Sequence, residues 1–445
     1  MTLIKKSKDL VVSFLESWLY PIFIAFFVLL GHSLSIELFS SSIIAISIII
    51  GLLFCKDIRF LVSPALMFIF IVSSNSFACW EGEFINKAFH TGITIMAILV
   101  AIALIARFII FRKSISLIPV VKSPLFYGLL AFSLSILLGG LFNSNMYSLG
   151  LFKDNLVFSV AITFSFIGIF ILFYSGINFS NDFKKYLVFV LFVSSILVCL
   201  EFYTMLLYGK IELVKESIVT GWGIWNNIGA ILTVLLPVHF YCFAYCKKFK
   251  YLFLITALVS YITIVLTFSR ASLLVATLIL ALCMIFSCFV GQNKLLFRIL
   301  IAVLGTLSII AVIIMWDKLL GLAERFFDDN GRFEIYKKGL EKFLSHPIFG
   351  AGFMDSHGIS SVPDHRYHNT IVQILASCGT VGILAYAFHR FNTLSSIIKK
   401  KSGRNIFLAF CLLGLILTSL FDIHFFNIYP AFYYVLILIA IEKSN

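Results

Sequence analysis

Two short polar elements in an otherwise oily sequence carry residue types that do chemistry. The first is Ser269-Arg270, followed by Ala271, Ser272 and Leu273, set between two strongly apolar runs with no room for a loop. An arginine there is costly unless it faces water or an anion, and its guanidinium cannot be neutralised. It is therefore expected to point into an outward cavity, the bland alternative being a structural arginine that snorkels to the interface. The second is Asp364-His365-Arg366-Tyr367-His368-Asn369, which leads into the next apolar run. An imidazole whose tautomer is fixed by a carbonyl or carboxylate is suited to take a proton from a hydroxyl. His365 and His368 are three apart with Asp364 adjoining, but there is no H-E-x-x-H and no third ligand at fixed spacing, so no metal site is expected. Neither a P-loop, a dinucleotide fingerprint nor a Gly-x-Ser-x-Gly elbow is present.

The elements that must position these groups follow from hydropathy. Of 445 residues, 61% are hydrophobic and 12% charged, which excludes an ordinary soluble globular protein. Apolar stretches run near 17–35, 38–55, 58–74, 88–110, 123–142, 156–178, 186–208, 226–246, 251–268, 271–290, 295–316, 369–388, 404–421 and 427–442. Most reach the roughly 17–25 residues that cross a hydrocarbon core, where a helix satisfies its own backbone. The expectation is an all-α polytopic integral membrane protein with 12–14 transmembrane helices. Residues 1–316 would hold the first eleven, 317–368 one large outer loop, and 369–445 the last three, all within one membrane domain.

The formal charge of +13 comes from 34 basic against 21 acidic residues, clustered between apolar runs rather than in a stripe with interleaved aromatics. Nucleic acid is not an expected partner; the bilayer is. With the amino terminus placed inside, twenty-two of the 34 lysines and arginines fall on the inner side, including Lys184, Arg390, Lys400 and Arg404. Seven of the rest belong to the long outer loop, which counts little in this rule. Both termini are thus expected in the cytoplasm, and Arg270 and His368 on the same outer side. The first apolar run has no small-residue cleavage pattern and reads as a retained anchor. Eight of nine cysteines fall in or at the ends of predicted helices and Cys79 in an outer loop, so no disulfide or zinc framework is indicated.

Within the outer loop, Phe333, Tyr336, Leu340, Phe343 and Leu344 recur at helical spacing opposite Glu334, Lys337, Lys338 and Glu341. This predicts an amphipathic helix ending before Pro347, either lying on the membrane face or capping the bundle. The glycines of His346-Pro347-Ile348-Phe349-Gly350-Ala351-Gly352-Phe353 then permit a tight turn back toward the bilayer. Trp222 and Trp225, in Gly221-Trp222-Gly223-Ile224-Trp225-Asn226-Asn227, read as interfacial belt residues, and Asn226 and Asn227 as helix caps.

Taken in order, Ser269-Arg270-x-x-Leu273, an Arg332-led amphipathic helix, the His-Pro-Ile-Phe-Gly-Ala-Gly turn and His368-Asn369 opening a helix with Gly379 and Gly382 resemble the O-antigen ligase and polymerase superfamily. The likeness covers roughly 220–390. It implies a GT-C-like membrane glycosyltransferase that moves a glycan from undecaprenyl diphosphate to another sugar outside the cytoplasmic (inner) membrane. The implied acceptor is a growing glycan or a lipid A core, with no nucleotide sugar, cofactor or catalytic metal. On that likeness His368 matches the catalytic histidine, and Arg270, with Arg332 and Arg366, would hold the diphosphate, since a guanidinium fork matches phosphate oxygens. Ser269, Asn369, Asp364 and His365 are supporting candidates. Family ligases also have an arginine shortly before the Gly-rich stretch; here Ser217 to Thr220 stand there and the closest base is Lys215, so either Lys215 replaces that arginine as a diphosphate ligand or the diphosphate clamp differs. This departure leaves a repeat-unit polymerase open beside a ligase.

Two other classes compete. A transporter or flippase of lipid-linked glycan would place ionisable residues near mid-membrane and show paired repeats, and His239 beside Pro237 is the main deep polar position. A non-enzymatic assembly protein has no reason to keep Arg270 and His368 on one side.

Overall fold

The computed structural model of the chain describes residues 2–68, 87–112, 115–143, 148–179, 182–291, 294–303, 331–354 and 367–443. The first helices are α1 (Thr2–Leu15), α2 (Leu19–Leu34), α3 (Glu37–Phe54), α4 (Val62–Met67), α5 (Lys87–Ile110) and α6 (Ile118–Val121). Next come α7 (Pro124–Leu138), α8 (Leu149–Thr163), α9 (Ile169–Gly176) and α10 (Phe183–Leu207). A hairpin of β1 (Val219–Thr220) and β2 (Gly223–Ile224) precedes α11 (Trp225–Tyr245), α12 (Lys250–Leu266) and α13 (Arg270–Ser287). The remainder is α14 (Arg332–Ser345), α15 (Thr370–Lys399), α16 (Gly403–Thr418) and α17 (Ile428–Glu442). The protein is an all-α polytopic membrane protein.

Seven of the described helical runs are long and apolar enough to cross a membrane: α3, α5, α8 continued through α9, α10, α11, α13 and α15. An eighth is added if α1 and α2, bent by 74°, form one broken span. The count covers the described residues, which leave out parts of the stretches predicted at 58–74 and 295–316. Five further apolar helices of 10–17 residues, Ile58–Met67, α7, α12, α16 and α17, occupy other predicted stretches. At 1.5 Å per residue the fifteen residues of α17 rise only about 22 Å, short of a core about 30 Å thick. Its length need not match the bilayer, because every side chain from Tyr429 to Ile441 is buried in protein.

Helices α11 and α17 form the buried centre. Burial covers 94% of the α11 window, and α10, α12, α13 and α16 pack around it. By contrast only 11% of the α5 window is buried, and Ile95, Ile98, Ile102, Ile105 and Ile109 lie on its outside, as expected of a helix that borders lipid. Two of the deep polar groups find their partners within the protein. His239 meets Ser195 Oγ and Thr256 Oγ1 at 2.9 Å each, side-chain hydroxyls rather than a backbone carbonyl. Arg107, also buried, donates to the carbonyls of Cys55 and Lys56 just past the end of α3, where helix carbonyls have no intrahelical partner.

The loop turn at Pro347–Gly352 has a defined receptor. Helix α15 breaks at Gly379, whose φ of 65° and ψ of −156° interrupt the helical ladder. The turn fills the break. Pro347 O accepts from Thr380 N–H and Ile348 O from Val381 N–H, while Ala351 and Gly352 donate to the carbonyls of Ala376 and Ser377. A Cβ on Gly350 would lie 2.3 Å from the Ser377 carbonyl carbon, so only glycine permits this approach. Asn143 Nδ2 then holds Ala351 O at 2.8 Å, and Asn155 Oδ1 accepts from Phe353 N–H at 2.7 Å.

Candidate functional site

Ser269 is the N-cap of α13. Its hydroxyl accepts from Ser272 N–H and donates to Asn226 Oδ1 at 2.9 Å, so the start of α13 is pinned to the start of α11. Asn226 is therefore a partner of the cap rather than a cap itself. Arg270 occupies the first helical position and is half-buried. Lys215, on a short 3₁₀ turn, lies with its ammonium 5.4 Å from the centre of the Trp225 ring, at the same helix start. Trp222 is 1% exposed, which overturns its reading as a belt residue. The hairpin turns its ring inward because Gly221 packs directly on His32 and Glu201. Those two form a buried pair at 2.8 Å, and Glu201 also accepts from Gly221 N–H.

His368 stands immediately before the N-cap of α15, with φ of 49°, a left-handed conformation that non-glycine residues seldom adopt. Asn369 is that cap: its Oδ1 accepts from Ile371 and Val372 N–H, and its Nδ2 donates to Leu420 O at 2.9 Å. The role of Asn369 is thus to fix the helix start beside the end of α16. This brings His368 Nδ1 to 3.3 Å from Asp422 Oδ1, in the short connection between α16 and α17. Asp422 Oδ2 is 4.0 Å from His424 Nε2. Burial pushes the Asp422 carboxyl up, but the hydrogen bond from His368, the charges of His424 and His368, and the Ile423 N–H outweigh it. The net effect holds this carboxyl well below the ordinary range.

Helix α14 lies against the start of α15. Tyr336 Oη donates to His368 O at 3.4 Å, and Gly339 packs on Tyr367 and Val372, where a larger residue would collide. Arg332 sits one turn before Tyr336 on the same face. Phe333, Leu340 and Leu344 point outward instead, so the helix caps the bundle by one side and leaves an apolar stripe on the other.

The two corners share one end of the bundle. Helices α11 and α16 run antiparallel, with Gly403 beside Tyr245, Gly414 beside Thr233, and Asn227 and His424 lining one small cavity with Leu415 and Tyr429. Asn226, Ser269 and Arg270 therefore stand at the same end as Asp422 and His368. Arg366, Asp364 and His365 lie outside the described residues. Asp422 and His424 went unnoticed in the sequence, although an Asp-x-His in a five-residue connection on the side of His368 was an available signal. Among the described residues no group of three or more metal-ligating side chains gathers.

No curated protein matches this chain. The family model described as O-antigen ligase matches residues 252–387, a stretch that contains Ser269, Arg270, Arg332, His368 and Asn369. Over that stretch the chain is similar to the O-antigen ligase family, which supports an O-antigen ligase-like function in general.

Proposed function

We propose that this protein transfers a glycan from a polyprenyl diphosphate to a hydroxyl of a sugar acceptor at the exoplasmic end of its helix bundle, with both termini in the cytoplasm. The observation that carries the reading is the His368–Asp422 pair at the same bundle end as Ser269 and Arg270. With Nδ1–H donated to Asp422, the Nε2 atom of His368 is left as the base. It takes the proton of the acceptor hydroxyl as that oxygen bonds to the anomeric carbon. The bond from that carbon to the diphosphate oxygen breaks on the opposite face, which inverts the centre. Negative charge grows on the departing diphosphate, and a fixed guanidinium in a low-dielectric hollow stabilises that state more than the ground state. Arg270 is assigned this task, with Arg332, Arg366 and Lys215 as further contributors. No metal and no nucleotide sugar enter this scheme.

The donor is read as an undecaprenyl-diphosphate-linked glycan and the acceptor as a growing glycan or a lipid A core. The test incubates purified protein with a polyprenyl-diphosphate glycan and each acceptor. Release of lipid diphosphate with chain growth identifies a polymerase, and release with transfer to the lipid A core identifies a ligase. Release with neither acceptor, or wild-type glycan ladders from a protein lacking both Arg270 and His368 side chains, rejects the reading.

A further inference from the structure

Arg390 is the deepest cation among the described residues of α15. It stands nine positions before Lys399 at the end of the helix, a rise of about 13 Å. The sequence places it with the inner-side basic residues, but its guanidinium turns into the bundle. Nη1 donates to Tyr434 Oη at 2.9 Å and Nη2 to Tyr386 Oη at 2.7 Å. Its Cζ lies 4.5 Å from the ring centres of both Tyr386 and Phe425, and 5.1 Å from that of Tyr434. No carboxylate among the described residues is within ion-pair reach of it. A charge that cannot be neutralised is thus held by three π faces and two phenol oxygens, and such contacts strengthen when water is absent.

One of those rings belongs to the connection that carries Asp422. Phe425 follows His424 on the turn His424–Phe426, three residues after the carboxylate that meets His368. Its ring is wedged among Phe132, Phe166, Tyr386 and Tyr434. Tyr434 in turn contacts His389 Nε2 at 2.7 Å and Thr393 Oγ1 at 3.2 Å, so the cage is tied back to α15. We infer that Arg390 is a positioning residue: through its cage it clamps Phe425, and thereby sets Asp422 against His368. The inference rests on the assignment of His368 as the base.

The test compares R390K, F425L and F425W with D422N in glycan transfer, over pH and donor concentration, using full-length protein in nanodiscs. Lysine keeps the charge and loses the planar fork; F425L removes the ring and leaves Arg390 bonded to both tyrosines; F425W restores a π face. His368 is faced by Asp422 and, through Asp422, by His424, with Tyr336 on its carbonyl. The expected result is a roughly tenfold fall in kcat for R390K and F425L. KM for the donor stays constant, the acid limb of the rate profile moves in the direction seen for D422N, and F425W recovers the rate. Wild-type kcat and pH profile in F425L, or a loss confined to KM, overturns the clamp while an impaired D422N leaves the base assignment standing. Full activity in both H368A and D422N would instead remove the base assignment itself.

Discussion

His368 and Asp422, 54 residues apart in the chain, meet at 3.3 Å because Asn369 caps α15 and at the same time holds Leu420 O at the end of α16. One asparagine side chain thus closes the contact between an imidazole and its carboxylate. H368A is expected to lower transfer by about 10²–10⁴-fold, the usual contribution of a general base. D422N is expected to keep donor binding and lower kcat, since the imidazole loses the carboxylate that holds its Nδ1. Steady-state kinetics over pH check both.

The depressed Asp422 carboxyl also links stability to pH. A carboxyl held lower in the folded state than in the unfolded state contributes stability above its unfolded pKa of about 4, and that contribution disappears as pH falls through the folded value. The unfolding midpoint of the wild type is therefore expected to fall more steeply than that of D422N on acidification below about pH 4. Thermal unfolding in detergent at stepped pH measures the difference.

Arg270 stands at the first position of α13, where Ser269 fixes the backbone. R270A is expected to reduce kcat by about 10²-fold or more, and R270K to recover only part, because lysine offers a point charge instead of a fork. S269A leaves the guanidinium in place and is expected to destabilise by about 1 kcal/mol through loss of the cap. Donor-release rates and melting curves separate the two effects.

Gly350 and Gly379 make the loop turn and the helix break fit each other. G350A is expected to destabilise by more than about 1 kcal/mol, because φ is 69° and the new methyl would meet the backbone of Ser377. G150A, which meets nothing within 4 Å, is the matched control. Denaturation midpoints of the two variants provide the comparison.

The buried His32–Glu201 pair supports the hairpin that leads to Trp225. H32A leaves the buried Glu201 carboxyl without its hydrogen-bond partner and is expected to destabilise by about 1–3 kcal/mol, whereas an exposed pair such as Lys185–Asp182 is expected to contribute under about 1 kcal/mol. Differential scanning of H32A and K185A tests the contrast.

Hydropathy alone determined that this is a helical membrane protein, because residues so apolar admit no other economical way to satisfy the backbone in lipid. The sequence also marked Ser269-Arg270 and His368-Asn369, since polar groups at the mouths of apolar helices have few innocuous explanations. Span length was less legible. Helices such as α17 are shortened and enclosed by neighbours, and burial by protein looks the same as burial by lipid in a hydropathy pattern. Trp222 was misread for a related reason: a tryptophan at that depth fits an interface or an interior equally well until Gly221 is seen against His32. The partnership of His368 with Asp422, and the depth of Arg390 among Tyr386, Phe425 and Tyr434, came only with the tertiary structure. Each depends on which helix ends converge, and that convergence is set by packing between segments far apart in the chain, which no local spacing encodes.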